Sequence, residues 1–402
     1  SGKRGYIMRI VLFYSEVESF NFFSNVLATE LRKRNNEVFI LNLLNPPAED
    51  PHSYVHFAQF ASHKVDAAIC FDGFAVKDDL LIGIWNAYQT VVADIFMDPP
   101  LRFHTALEKH SQNYIVFCCD RDHVEYVKKY LGDHVLNVTF MPQVGVMPDR
   151  NVPVIPYAEK KYDVLFSGTY YSPESRLAQI EEMAEKDTTV FDFYQALFHC
   201  LVENSRFTIE QAALHTIEKM GFDVDAGTLK RLLRCAEPID WAIRMYQRDR
   251  VVQALAKSGV ELHLLGRGWE NHSSAKYPNV HRIDDRIPYA DTLPYMANAR
   301  LNLNVFPGFK SGTHDRIFNT LLQHSLPITD SSKWVEENFR DGEDIALYDL
   351  DHLEFLPDIV NTLLQDSLRT ETMIQKGYEK VAANFTWSNC TDWILNAIRR
   401  LA

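Results

Sequence analysis

Short apolar runs alternating with amphipathic stretches constrain this chain more than any other feature of it. RIVLFY (9–14) is followed by polar SEVES and then by FFSNVLATELRKR, whose apolar residues recur at helical spacing; EVFILNL follows as a second strand. This is a βαβ opening. DAAICF (66–71), TVVADIFM (90–97), NYIVFCC (113–119) and VTFMP (138–142) extend the series, with helical stretches such as HVEYVKKYL between them. Strands alternating with helices predict a parallel, doubly wound sheet covered on both faces.

The pattern stops and restarts. PQVGVMPDRNVPVIPYAEKKY is rich in proline and has little periodicity, which is linker chemistry. YDVLFSG (162–168) then opens a second series that continues with VELHLLG (260–266), ARLNLNVF (299–306), LPITD (326–330) and DIALYD (344–349). Between 174 and 258 the pattern is mostly helical, longer than one crossover needs, so a helical insertion is expected over about 186–245. At 402 residues the chain exceeds what one core usually supports. The expectation is two Rossmann-like domains, 8–150 and 162–385, joined by a linker at 151–161. A last helix, 386–402, would pack back on the first domain.

Composition limits what such a chain does. A net charge of −13 disfavours broad nucleic-acid binding and docking on anionic lipid, both of which want a basic face. No apolar run approaches the roughly 20 residues of a membrane span. Ser1-Gly2-Lys3 reads as a cloning scar ahead of a native start near Met8, and no signal peptide is visible, so a cytoplasmic location is expected. The six cysteines lack metal-ligand or redox spacing and read as reduced interior residues. The adjacent Cys118 and Cys119 read as packing rather than as a disulfide.

In open parallel sheets, ligands bind beyond the carboxyl ends of the strands. In the second half the loops there hold Gly168-Thr169, Gly266-Arg267-Gly268-Trp269, Asp285-Arg286-Ile287-Pro288, FPGFKSGTHDRIFNT (306–320) and Thr329-Asp330-Ser331-Ser332. The fourth is the most telling. Glycines let backbone approach a ligand closely, and a helix N-terminus offers free N–H groups with positive dipole character. Arg316 in the first turn opposes that dipole unless an anion sits between them, and a diphosphate would fit. Otherwise Thr313 or Asp315 is an N-cap and Arg316 faces solvent. His314 is a further candidate phosphate donor. In the first half, Asp98 with His104, and Asp120 and Asp122 with His123, place a carboxylate just past a strand and an imidazole nearby. Such groups can deprotonate a hydroxyl, or can simply cap turns and helices. Ser15-Glu16 is a weaker candidate. Neither a P-loop, nor G-x-G-x-x-G after the first strand, nor H-E-x-x-H occurs.

At these residues the chain resembles a known group, the CgeB-like family of spore-maturation glycosyltransferases. The matching stretches are YDVLFSGTYY, VELHLLGRGWE, PYADTLPYMANARLNLNVFPGFKSGTHDRIFNTLLQHSLPITD and EENFRDGEDIALYDLDHLEFLPDIVNTLLQD, with ADIFMDPPLRFH and FCCDRDHVEYVKKY on the N-terminal side. The resemblance implies an α/β GT-B fold: two Rossmann-like doubly wound domains facing a cleft, with a helical insertion in the second. It implies transfer of a hexosyl group from a nucleoside-diphosphate sugar, UDP favoured, to a glycan, protein or small-molecule hydroxyl, without a prosthetic group or essential metal. On that reading Arg316 and the N–H groups of Gly312, Thr313 and His314 hold the diphosphate. Gly168, Thr169, Gly266 and Asp315 line the donor site, Arg286 and Ile287 meet the base, and Asp98 with His104 serves the acceptor.

One departure stands out. Related retaining enzymes carry two glutamates eight positions apart around this helix, the second on the ribose. Here Gly312 and Thr320, or Ser311 and Asn319, occupy those places, and on the resemblance Asp330 would substitute as the ribose ligand. A nucleotide-sugar 2-epimerase on the same fold, or a catalytically inactive glycan- or nucleotide-binding scaffold, are the alternatives.

Overall fold

A computed structural model of the chain describes residues 6–44, 51–109, 111–184, 187–283, 287–306 and 308–401. The protein divides into two compact units. The first holds the residues up to Val144, Pro288–Ala290 and those from Phe385 onward; the second holds Gly145–Ile287 and Asp291–Asn384.

The sheet of the first unit is six-stranded, in the order β2-β1-β3-β4-β5-β6, and every pairing is parallel. Its strands are β1 (Arg9–Tyr14), β2 (Glu37–Asn42), β3 (Ala67–Phe71), β4 (Val91–Phe96), β5 (Tyr114–Cys118) and β6 (Asn137–Phe140). β3, β4 and β5 are buried along their whole length, as strands covered on both faces must be, and their sequences are accordingly almost continuously apolar. The edge strands β2 and β6 are partly exposed and carry polar residues at their exposed positions. The helix Trp387–Arg399 completes this unit: Trp387 packs on Phe23 and Phe71, with ring centroids 5.1 and 6.2 Å apart. Arg34 anchors the same helix through Asp392 at 2.7 Å.

The second sheet is also six-stranded and parallel, in the order β12-β11-β10-β7-β8-β9. Its strands are β7 (Tyr162–Ser167), β8 (Leu262–Leu265), β9 (Val280–Arg282), β10 (Ala299–Asn304), β11 (Leu326–Thr329) and β12 (Ala346–Leu347). Read from β9, the order is that of a doubly wound nucleotide-binding sheet, with the reversal between β7 and β10. Two asparagines of β10 are buried, and the side-chain N–H group of each finds a hydroxyl. Asn302 donates to the Ser325 hydroxyl at 2.6 Å, and Asn304 to the Thr329 hydroxyl at 2.8 Å.

Five helices connect β7 to β8: Pro173–Met183, Thr188–Glu203, Ile209–Met220, Ala226–Arg234 and Glu237–Ser258. The last is a single 22-residue helix, so residues past 245 continue the helical segment without a break. Five cysteines are buried and Cys235 is exposed, so one of the six lies outside the interior.

Candidate functional site

The reversal in strand order of the second unit brings the loops after β7 and β10 side by side, and the charged groups gather there. β7 delivers the ring of Phe166. Over it lie two guanidinium groups, Arg316 at 5.5 Å and Arg248 at 5.9 Å from the ring centroid. Arg316 comes from the first turn of the helix Asp315–Leu322, and Arg248 from the middle of Glu237–Ser258. Arg248 also donates to the carbonyl of Thr169, in the loop after β7.

Arg316 is held in place. Its Nη1 donates to Asn304 Oδ1 at 2.5 Å, Asn304 Nδ2 donates to Thr329 Oγ1 at 2.8 Å, and that hydroxyl donates to the Asp330 carbonyl at 2.8 Å. The chain of bonds leads from the guanidinium to the ends of β10 and β11. Helix capping falls to His314, not to Thr313 or Asp315: its Nδ1 accepts from the Arg316 N–H at 3.2 Å and lies 2.9 Å from Asp315 Oδ1. Burial, and then the charge of Arg316, hold the His314 imidazole below its usual pKa; Arg248 adds to this, while Asp315 opposes it. The ring is therefore neutral near pH 7, beside two arginines and one carboxylate.

The remaining expected residues divide between this cluster and the scaffold beneath it. Gly312 presents its carbonyl to the Ser332 hydroxyl at 2.6 Å, and Thr313 is fully buried. Gly168 donates to Leu265 O at 2.9 Å and accepts from Trp269 Nε1 at 2.8 Å. Gly266, at φ 134°, could not carry a side chain, because a β-carbon there would lie 2.4 Å from the Gly168 carbonyl oxygen. Its task is to press two loops together. Ile287 is half-buried against a small core of Leu165, Leu265, Met296 and Ala299, and Arg286 lies outside the described residues.

Asp330 is a buried latch: its Oδ1 accepts from the Phe306 N–H at 2.7 Å and so fixes the loop that leads to Arg316. Burial lifts its carboxyl to about 6, against the pull of that N–H and of Lys310. An acid whose pKa is raised by folding takes up its proton more readily in the folded state, so this group lowers stability as pH climbs from about 4 to 6. Asp330→Asn keeps the acceptor oxygen and removes the titration. We expect its unfolding free energy, followed by urea melts, to fall less than wild type over that window, by roughly 2–3 kcal/mol.

Asn319 and Thr320, at one end of the spacing where related enzymes carry glutamates, are both buried. Asn319 Oδ1 accepts from the Val146 N–H at 2.8 Å, so that side chain ties down the segment that opens the second unit.

In the first unit, Asp98 Oδ2 lies 3.5 Å from Arg102 Nη1. His104 is turned into the interior, with Nε2 2.8 Å from the Tyr126 hydroxyl and 1% of the residue exposed. Asp120 caps the helix Arg121–Leu131 by accepting from the Asp122 and His123 N–H groups at 2.6 and 3.4 Å.

Sequence reasoning missed Arg248 and Asn304. Asn304 was hidden in an apolar run. Arg248 did leave a signal: Asp240, Arg244 and Arg248 repeat every four residues and all are buried on one helix face, where an ordinary surface helix would carry apolar side chains. Among the described residues, no group of three or more His, Cys, Asp or Glu side chains is placed to hold a metal ion. No described helix is long and apolar enough to cross a membrane.

Comparison with known proteins agrees with this layout. Residues 247–396 match a family model described as "Glycosyl transferase-like", less than half of the chain. Among curated proteins, none matches by sequence. Solved structures match along almost the whole length. An α-glucosyltransferase bound to UDP and a 13-mer DNA superposes with a TM-score of 0.57 at 12% identity, covering 98% of this chain and 100% of that one. Sucrose-phosphate synthase from Thermosynechococcus elongatus gives 0.56 at 10% identity, covering 98% and 99%. HepE from Anabaena, in complex with UDP and glucose, gives 0.52 at 11% identity, covering 98% and 100%. The fold is GT-B. At these identities the GT-B structures establish architecture, and the chemistry must be argued from this chain's own residues.

Proposed function

We propose that the protein is a glycosyltransferase that takes a hexosyl group from a nucleoside-diphosphate sugar, UDP favoured, and passes it to a hydroxyl acceptor. The observation that carries this reading is the pair of guanidinium groups, Arg248 and Arg316, over Phe166 at the strand-order reversal of the second unit. Two fixed cations and a helix N-terminus suit a diphosphate in its ground state and suit it better as a leaving group, when negative charge builds on the bridging oxygen. The planar fork of arginine matches phosphate oxygens two at a time. This arrangement supplies the charge neutralisation that a metal provides elsewhere, which supports a metal-independent reaction. The bound UDP of structures sharing this fold supports the choice of base. The resemblance of the stretches quoted above to the CgeB-like group supports this reading, and the charge of −13 supports an acceptor other than nucleic acid.

In this reading Arg248 and Arg316 hold the diphosphate, and Asn304 positions Arg316. The N-terminus of the helix Asp315–Leu322 turns its dipole toward the same anion, with Thr313 buried behind it. Asp98 is the acceptor-side carboxylate of the proposal, while His104, committed to Tyr126, is left to packing.

The test is a thermal-shift panel of UDP-, GDP- and dTDP-sugars, followed by mass spectrometry of the donor. A ligand that binds only the folded state must raise Tm, by about 2.7 kcal/mol of stabilisation at a hundred times its Kd. A rise with UDP-sugars and slow release of UDP is the expected result. Conversion of donor alone into an isomeric nucleotide sugar would mean an epimerase, and no Tm response from any nucleotide would overturn the reading.

A further inference from the structure

The first unit has its own reversal of strand order, between β1 and β3, and the same rule that marks the second unit's site applies there. A pocket of about 270 Å³ opens at that point. Its walls come from the loops after three strands: Glu16 after β1, Asp72, Phe74 and Lys77 after β3, and Arg102 and Phe103 after β4. We infer that this pocket binds one ring of a neutral saccharide. As the acceptor class of the proposed transfer, this rests on that reading; as binding it does not, because every group named belongs to the first unit.

The backbone supplies the first argument. Asp72 adopts φ 45° and Gly73 φ 84°, two left-handed residues in succession. A residue with a side chain accepts that conformation at a cost of about 1–2 kcal/mol, and such outliers persist where a side chain must be aimed. A β-carbon on Gly73 would lie 2.5 Å from that of Ala106, so the loops after β3 and β4 are pressed together and the turn is fixed. The Met97 N–H at 2.8 Å holds Asp72 Oδ1 in place. Burial, and then the charge of Asp98, push the Asp72 carboxyl above its usual range, which favours exchange of a proton with a hydroxyl.

The walls supply the second. Phe74 and Phe103 are half-buried and held by other rings, Phe20 at 6.3 Å and Phe96 at 5.0 Å. Rigid aromatic faces beside hydrogen-bonding groups suit a pyranose, with C–H faces and a rim of hydroxyls. The volume falls below the roughly 300–1,000 Å³ of drug-sized ligand sites, which favours one ring.

Charge decides between neutral and anionic sugars. Each cation of the wall already has a carboxylate: Lys77 with Glu16 at 3.2 Å, Arg102 with Asp98 at 3.5 Å, and Lys109 with Asp79 at 2.8 Å. A phosphate or carboxylate would enter a site whose positive charge is spoken for. Hydroxyls, which donate and accept, can insert into such pairs.

The experiment titrates the full-length protein, without nucleotide, with methyl α- and β-glycosides of glucose, galactose and mannose, and with glucuronate and glucose 6-phosphate, using ligand-observed NMR. At least one neutral glycoside is expected to bind with a millimolar Kd. Asp72→Asn, an exchange that tolerates the left-handed backbone, should weaken it at least tenfold, as should Thr105→Trp, which fills the pocket from its exposed lip. Arg316→Ala should leave it unchanged. Preference for the two anionic sugars, binding indifferent to both pocket variants, or no glycoside binding would overturn the inference. UDP binding measured on the same samples separates this outcome from failure of the donor site.

Discussion

Arg316→Ala is expected to weaken UDP binding, measured by isothermal titration calorimetry, by roughly ten- to 100-fold. A hydrogen bond to a charged group contributes about 1.5–3 kcal/mol, and here the donor is fixed before the ligand arrives. Asn304 holds the guanidinium at 2.5 Å, so little rotamer entropy remains to be lost on binding. Arg316→Lys should recover only part of the affinity, because an ammonium is a point charge that cannot engage two phosphate oxygens in one plane. Arg248→Ala should produce a loss of the same order. Because both cations face one anion, the double variant should lose less than the sum of the two. Unchanged UDP affinity in Arg316→Ala would remove the basis of the proposed function.

Gly268→Ala is expected to be the most damaging small substitution in the second unit. Gly268 sits at φ 87°, and a β-carbon there would lie 1.9 Å from the Tyr170 carbonyl oxygen. Tyr170 is bonded back through its own N–H to Arg267 O at 2.9 Å, and its ring stacks on Trp269 at 5.0 Å, so the obstructing backbone has nowhere to move. Left-handed strain of about 1–2 kcal/mol and overpacking of about 1–3 kcal/mol act together. Differential scanning calorimetry should show the unfolding transition lowered by several degrees. Because the loop 168–170 carries the Thr169 carbonyl that orients Arg248, UDP affinity should fall with it. A variant that melts and binds as wild type does would mean the two loops separate more easily than their contacts imply.

The fold was legible because burial writes itself into composition. β3, β4 and β5 are buried on both faces, and AAICF, VVADIF and YIVFC say so without any reference to neighbours. The glycine-lined bend before Arg316 was legible for the same reason, since a strand that ends in glycine and feeds a helix has few uses. What a sequence does not display is which loop reaches which. Gly266 and Gly268 look like ligand glycines in a linear reading and turn out to relieve a collision with Gly168 and Tyr170, residues almost a hundred positions earlier. His104 and Asp98 sit within one short stretch, yet the 3₁₀ turn Pro100–Arg102 intervenes and His104 is turned inward to Tyr126. Arg248 was lost because a charged residue inside a long helix usually faces water, and only the packing of that helix under the β7 loop reverses the expectation.

The first unit is assembled from distant stretches of chain, and Phe23 and Phe71 find their cover in Trp387. During synthesis its sheet is therefore complete long before its hydrophobic surface is closed. Until residues 385–401 have left the ribosome, the nascent protein carries an uncapped apolar flank, while the intervening unit already has every strand it needs. Order of manufacture and order of maturation are thus reversed: the half that is begun first is the half that is finished last.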